Sequence, residues 1–205
     1  MADAREQGVW SEHARLDHTK AEPYTYSKEI DSLLENTYPN GIKLVMDVGC
    51  GSGLWRRIFS EYDYVGVDQN EDMINLALKR NFIDIPKSTR FLIGNARKLS
   101  DVWIRCKQKP DLIFCSAVLQ HNRHEPDKRE VVEEINRTLR PHGYFLFTEN
   151  TFAPHNFNPP FNRFQEGQTD GWSFTQKGWE DFMNLCGFTL IKNDPFNFYL
   201  FQKED

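Results

Sequence analysis

Residues 44 to 68 read LVMDVGCGSGLWRRIFSEYDYVGVD, and they narrow the possible folds more than any other stretch of the chain. A short apolar run, Leu44-Val45-Met46, reaches an acid, Asp47, and glycines follow at alternate positions, Gly49, Gly51 and Gly53. Leu54, Trp55, Ile58, Phe59 and Tyr62 then recur at helical spacing, and a second apolar run, Tyr64 to Val67, ends in Asp68. A parallel strand buried on both faces is apolar throughout, whereas a crossover helix shows a 3.6-residue period. The pattern predicts strand, glycine turn, helix, strand. Glycines let the backbone approach a ligand closely, and the unpaired N–H groups of a following helix face that ligand. An acid at the tip of the second strand is placed to accept from ribose hydroxyls. The stretch points to a ligand that carries a nucleoside.

Spacing then selects among nucleosides. Dinucleotide sites read G-x-G-x-x-G, with a helix N-terminus facing a pyrophosphate. Here the order is Asp47-x-Gly49-x-Gly51-x-Gly53, with an acid ahead of the first glycine. Such an acid repels a pyrophosphate but suits a cationic amine. S-adenosylmethionine has that amine, a ribose and an adenine, and no phosphate. The block closely resembles the first two motifs of the class I S-adenosylmethionine-dependent methyltransferases, especially the small-molecule branch related to ubiquinone and menaquinone biosynthesis enzymes (the "type 11" group). The resemblance extends over residues 40 to 203.

The resemblance implies an α/β fold: a Rossmann-like doubly wound sheet of about seven strands, mostly parallel with an antiparallel last strand, helices on both faces. It implies S-adenosyl-L-methionine as cofactor and S-adenosyl-L-homocysteine as product. Carried over residue by residue, it assigns cofactor contacts to Asp47, Gly49, Cys50, Gly51 and Gly53 in the turn, and to Asp68 and Gln69 after the second strand. Met73, in the first turn of a helix capped by Asn70, would pack on the adenine, as an ordinary core methionine also could. A third strand, Phe91-Leu92-Ile93, leads to Asn95 and Ala96; relatives usually carry Asp at the first of these, and Asn still offers a carbonyl oxygen to the adenine amino group. The fourth strand, Asp111 to Ser116, runs into Ala117-Val118-Leu119-Gln120-His121, and Ser116 and Ala117 would line the methionine half of the cofactor.

His121 follows the strand that ends at the topological switch point, where open α/β sheets bind ligands. It could hold substrate, act as a general base, or cap the next helix. His121-x-x-His124 lacks a third ligand for a metal, so none is expected. A helix with Val131, Val132, Ile135 and Leu139 on one face follows, stopped by Pro141 and Gly143, and Tyr144 to Thr148 is the fifth strand. Residues 151 to 173, TFAPHNFNPPFNRFQEGQTDGWS, show no periodicity, and a long irregular loop at the carboxyl edge of a sheet is suited to wall a substrate pocket. Within it, Asn158-Pro159-Pro160-Phe161 looks like the NPP-aromatic motif of amino methyltransferases. There the motif follows the fourth strand; here it follows the fifth, and a proline-rich turn suffices to explain it. Thr175 reads as a cap for a helix through Trp179, Phe182, Met183 and Cys186, ended at Gly187, and two strands, Phe188 to Ile191 and Phe196 to Phe201, close the chain.

At 205 residues the chain suits one domain, 1–205: an N-terminal lid and helix over 1–40, a cofactor-binding half over 41–150, a substrate loop over 151–174, and a closing helix and hairpin over 175–205. In the lid, Ser27 opens a helix through Ile30, Leu33 and Leu34. The net charge of −5, without a basic bank, disfavours nucleic acid as a partner, and no apolar run approaches a membrane span. Four widely spaced cysteines, Cys50, Cys106, Cys115 and Cys186, suit reduced thiols in a cytoplasmic protein. Oligomeric state is not legible.

The chemistry expected is methyl transfer to an oxygen or nitrogen atom of a small-molecule acceptor by in-line displacement, in which positioning outweighs base strength. His121, His155 or Glu149 could take a proton. Acceptor contacts are expected from Tyr24, Tyr26, Asn122, Phe152, Phe157, Phe161 and Trp172, an aromatic set with a few neutral polar groups. Two other functions share the fold: a protein or RNA methyltransferase, and a non-catalytic module that binds the cofactor.

Overall fold

The computed structural model describes residues 27–35, 41–80, 82, 84–106, 108–122, 124–148, 161–163, 172–174, 176–194 and 198–205. Seven strands form one sheet: β1 (Leu44–Val48), β2 (Asp63–Asp68), β3 (Thr89–Ile93), β4 (Leu112–Ser116), β5 (Tyr144–Thr148), β8 (Phe188–Asn193) and β9 (Phe198–Lys203). Their order is β3-β2-β1-β4-β5-β9-β8. Strands β1 to β5 pair in parallel, and β9 runs antiparallel between β5 and β8. This is the doubly wound architecture expected, with its antiparallel last strand. The order reverses between β1 and β4, so their carboxyl ends flank the crevice of the sheet.

Apolar runs made the central strands easy to recognise, since β1 is buried along its whole length and β4 along all but its last residue. Helices cover both faces. Leu99 and Val102 of α3 (Leu99–Cys106), Val131, Val132 and Ile135 of α4 (Glu125–Thr138), and Trp179, Phe182 and Met183 of α5 (Gln176–Leu185) bury against Met46, Val48, Ile113 and Phe145 on one side. On the other, Ile30 and Leu33 of α1 (Ser27–Leu34) join Trp55, Phe59, Tyr64, Phe114 and Leu146. The remaining helix, α2 (Glu71–Lys79), is capped by Asn70, whose side chain accepts from the Met73 N–H at 3.0 Å. Glu71 and Asp72 in its first turn complement the helix dipole.

Three elements differ from the expected pattern. The segment after Gly53 is not an α-helix but a single 3-10 turn, Leu54–Arg57, continued by bends to Tyr62. Arg56 braces this turn: it is fully buried, its Nη1 donates to the Phe59 carbonyl at 2.5 Å and its Nε to Thr89 Oγ1 at 2.7 Å. Apolar spacing over one turn fits either geometry. Helix α3 was not expected, although Leu99, Val102, Trp103 and Cys106 carry the i, i+3, i+4, i+7 pattern of an amphipathic helix. The stretch expected as an irregular loop contains a two-stranded antiparallel ribbon, β6 (Phe161–Arg163) with β7 (Trp172–Phe174). Each arm is three residues long, too short for alternation to stand out.

Candidate active site

At the carboxyl end of β1 the chain turns through three left-handed glycines, Gly49 (φ +74°), Gly51 (φ +52°) and Gly53 (φ +76°). At Gly49 a side chain is excluded twice, by φ and because an added Cβ would collide with Val118 Cγ2. At Gly51 the reason is φ alone, since an added Cβ meets no atom within 4 Å. The turn is clasped from several directions. Gly49 and Cys50 donate to the Val67 carbonyl at 2.7 and 3.1 Å. Arg80 Nε donates to the Ser52 carbonyl at 2.6 Å. The result is a backbone loop pinned to β2 and α2 while Gly51 stays open to approach.

The two acids at the strand ends behave differently. Asp68 Oδ2 accepts from the Gly51 N–H at 2.9 Å and Oδ1 from the Asn70 N–H at 2.8 Å, so it links the glycine turn to the cap of α2. Burial raises its pKa, against the lowering effect of those N–H donors. Gln69, beside it, is exposed, and Met73 is buried one turn into α2. Asp47 is fully buried on β1; its Oδ2 accepts from the Tyr64 hydroxyl, and its Oδ1 is buried without a hydrogen-bond partner. Burial pushes the Asp47 pKa up to about 7, the Tyr64 hydrogen bond opposes this, and the charge of Asp68 adds to it. The residue paired with Asp47 on β2 is Gly66, where an added Cβ would collide with Phe91 and the Cys50 sulfur. Cys50 is buried, and burial, with Asp47 and Asp68 nearby, holds its thiol well above the ordinary range.

After β3, Asn95 caps a 3-10 turn, Ala96–Lys98, its Oδ1 accepting from the Arg97 N–H at 2.9 Å. After β4, Ser116 is half-buried, and Ala117 adopts φ +56°, a costly conformation for a residue with a Cβ. That bend hands the chain to Val118, which packs on Gly49, and to a 3-10 turn, Leu119–His121. His121 is half-buried, and its pKa is pushed down to about 4, mainly by burial and then by the charge of Lys128. It does not cap α4; His124 occupies that position. The substrate and general-base roles remain for it.

Asn122, expected at the acceptor, is committed within the protein: its Oδ1 accepts from Arg97 Nη2 at 3.0 Å and its Nδ2 donates to the Val118 carbonyl at 3.1 Å. Arg97 also pairs with Asp127 at 3.2 Å and Glu130 at 3.5 Å on α4. The adenine-side segment and the post-β4 turn are therefore tied together. Of the other expected acceptor residues, Tyr24, Tyr26, Phe152, His155 and Phe157 lie outside the described residues, as do Glu149 and most of the NPPF stretch. Phe161 opens β6 and Trp172 opens β7, and β7 packs on the Leu119–His121 turn, which brings the ribbon to the crevice. Among the described residues no three His, Cys, Asp or Glu side chains converge as a metal site. An open depression lined by Lys28, Asp31, Leu34 and Tyr62 lies against α1 and includes none of the glycine-turn residues.

Sequence reasoning missed Tyr64, Arg97 and Lys128. Lys128 could have been found: Lys128, Val131, Val132 and Ile135 share the i, i+3, i+4, i+7 register of the buried face of α4, so a lysine stands on a core stripe.

A left-handed glycine turn joined to an acid on the next strand, at the reversal point of this strand order, marks a Rossmann-like domain with its ligand crevice at that point. The family model that matches is the methyltransferase domain, over residues 42–187, and the chain belongs to that family, whose cofactor is S-adenosylmethionine. It is 33% identical over 112 residues to a fatty-acid O-methyltransferase of Mycolicibacterium smegmatis, covering 52% of this chain and 37% of that protein. An uncharacterized chloroplastic methyltransferase of Arabidopsis thaliana is 29% identical over 170 residues, 74% of this chain and 45% of that one. The chain thus matches less than half the length of either relative. In fold it is similar to magnesium protoporphyrin IX methyltransferase from Synechocystis, crystallised with S-adenosylmethionine, at a TM-score of 0.62 and 14% identity over 87% of this chain and 78% of that one.

The residues present fit this cofactor. The buried, unpartnered Oδ1 of Asp47 suits its cationic amine, directly or through water. Asp68 suits the ribose, its carboxylate oxygens each keeping a lone pair beyond the N–H bonds they accept. Bound there, the cofactor supplies a methyl group already activated on a sulfonium.

Proposed function

We propose that the protein transfers the methyl group of S-adenosylmethionine to an oxygen or nitrogen atom of a small molecule. The observation that carries this is the left-handed glycine turn held by Asp68 beside the turn that presents His121. Asp47, the glycine turn, Asp68, Gln69, Met73, Asn95, Ala96, Ser116 and Ala117 hold the cofactor in this reading. His121, neutral across the physiological range because of its lowered pKa, accepts a hydrogen bond from the acceptor's hydroxyl or amine. With so low a pKa it is a weak base, and positioning provides most of the rate.

The acceptor pocket is assigned to the β6–β7 ribbon, with Phe161 and Trp172, and to Tyr24, Tyr26, Phe152, His155 and Phe157. Residues 1–205 act as one domain, a reading supported by Ile30 and Leu33, which bury in the same core as the sheet, and within it 1–40 is assigned the closing of the cofactor site. A cytoplasmic location is consistent with four buried free cysteines; among the described residues no helix is long and apolar enough to cross a membrane. The net charge of −5 argues against nucleic acid as acceptor. The test is transfer of label from methyl-tritiated S-adenosylmethionine to a panel of fatty acids, phenols and primary amines. Label in a panel member supports the proposal; label only in macromolecules of a cell extract overturns it in favour of a protein or RNA acceptor.

A further inference from the structure

Lys128 is fully buried on α4, and its ammonium donates to the Leu119 carbonyl at 2.6 Å and to that of Asn122. Those two carbonyls bracket the 3-10 turn that carries His121. Burying an ammonium ion is costly, and a methionine or leucine would fill the same core position without that cost. A charge kept in such a place needs a reason other than packing. The turn it holds follows a strained residue, Ala117 (φ +56°), by two positions, and Asn122 also grips it through its own bond to the Val118 carbonyl. Two charge-assisted hydrogen bonds from Lys128 therefore hold the turn at both ends.

We propose that Lys128 is a positioning residue for methyl transfer, its buried ammonium ion clamping the Leu119–Asn122 turn so that His121 is held at the acceptor. This rests on the reading of His121 as the group facing the acceptor. Lys128 acts through the backbone and touches neither cofactor nor acceptor. Among the described residues, the charged groups that bear on the turn include Lys128 on α4 and the Arg97–Asp127–Glu130 cluster, which bonds to Asn122 through Arg97. Two effects follow from one residue. The clamp fixes the imidazole, and the positive charge keeps it unprotonated and able to accept.

The test compares K128M, K128R, H121A and K128M/H121A with the wild type. Homocysteine-cofactor affinity, measured by calorimetry, stays within twofold of wild type in all of them, which verifies the fold. With whichever panel acceptor takes label, K128M lowers kcat at least tenfold, K128R stays within threefold, and K128M adds less than twofold to the loss already caused by H121A. A K128M enzyme as fast as wild type, or a loss that multiplies fully with that of H121A, overturns the proposal. Nuclear magnetic resonance of the imidazole supplies a readout that needs no acceptor: in K128M the His121 titration rises by about one pH unit, in keeping with loss of one nearby charge. An unmoved titration also overturns it. If wild type labels no acceptor, the methyl-transfer reading fails while the titration still decides the role of Lys128. K128Q, which keeps a donor and drops the charge, replaces K128M where the latter does not accumulate, with the same outcomes expected.

Discussion

Replacing Asp47 with Asn separates stability from binding at a single carboxyl group. In the folded protein Asp47 ionises near pH 7 against an ordinary value of 3.8, with burial as the main cause. Each pH unit of difference corresponds to 1.36 kcal/mol, so the full difference is roughly 4 kcal/mol. The sign follows from proton counting. Between about pH 4 and 7 the folded state keeps a proton that the unfolded chain has released, so stability falls as pH rises through that window and levels off above it. D47N is neutral at every pH, and its amide oxygen can still accept from the Tyr64 hydroxyl. The variant should match wild type within about 1 kcal/mol near pH 4 and exceed it by roughly 4 kcal/mol at pH 8. Urea denaturation followed by tryptophan fluorescence at several pH values measures this directly. Binding should move the other way: if the open Oδ1 serves the cofactor's amine, D47N loses on the order of 1.5–3 kcal/mol of affinity. A stability difference between the two proteins that does not change with pH would refute the argument.

Other perturbations have equally definite outcomes. Asp68→Ala removes the acceptor for Gly51 and Asn70 as well as for the ribose, and calorimetry should show cofactor affinity reduced by about 1.5–3 kcal/mol or more. Gly49→Ala places a Cβ against Val118 at φ +74° and should destabilise by about 1–3 kcal/mol; Val118→Ala in the same chain should recover part of the lost melting temperature by removing the collision but not the strain. His121 opposes Asp47 in its pH dependence. Its folded pKa of about 4 lies below the ordinary 6.5, so its contribution to stability is present above pH 6.5 and lost as pH falls toward 4. The acid-side decline of stability should therefore be shallower in H121A than in wild type by chemical denaturation at pH 4.5.

What the chain revealed before its structure was governed by distance along it. β2, β4 and β5 are buried apolar runs that end in an acid or a polar residue, and β1 is one that carries its acid at the last position but one, so their limits were readable almost to the residue. The glycine turn was readable because three glycines at alternate positions serve no purpose in a strand or helix. The 3-10 turn after it was not, because the bonds that tie Arg56 to Thr89 and Lys87, 33 and 31 positions away, are tertiary details. Side-chain partners across the sheet were equally hidden: nothing in the sequence joins Tyr64 to Asp47, or Arg97 to Asn122, 25 positions away. Asn122 shows the consequence. Its type and place suggested contact with the acceptor, whereas its bonds to Arg97 and Val118 make it a brace of the turn.

The claim on which everything else depends is that the glycine turn between β1 and β2 binds S-adenosylmethionine. Amide resonances of ¹⁵N-labelled protein, followed while S-adenosyl-L-homocysteine is added, test it most directly. Saturable shifts with micromolar affinity, centred on Gly49, Gly51, Gly53, Asp68 and Asn95, are predicted. Shifts confined to the depression on α1, around Asp31 and Tyr62, or none at all, would contradict the account.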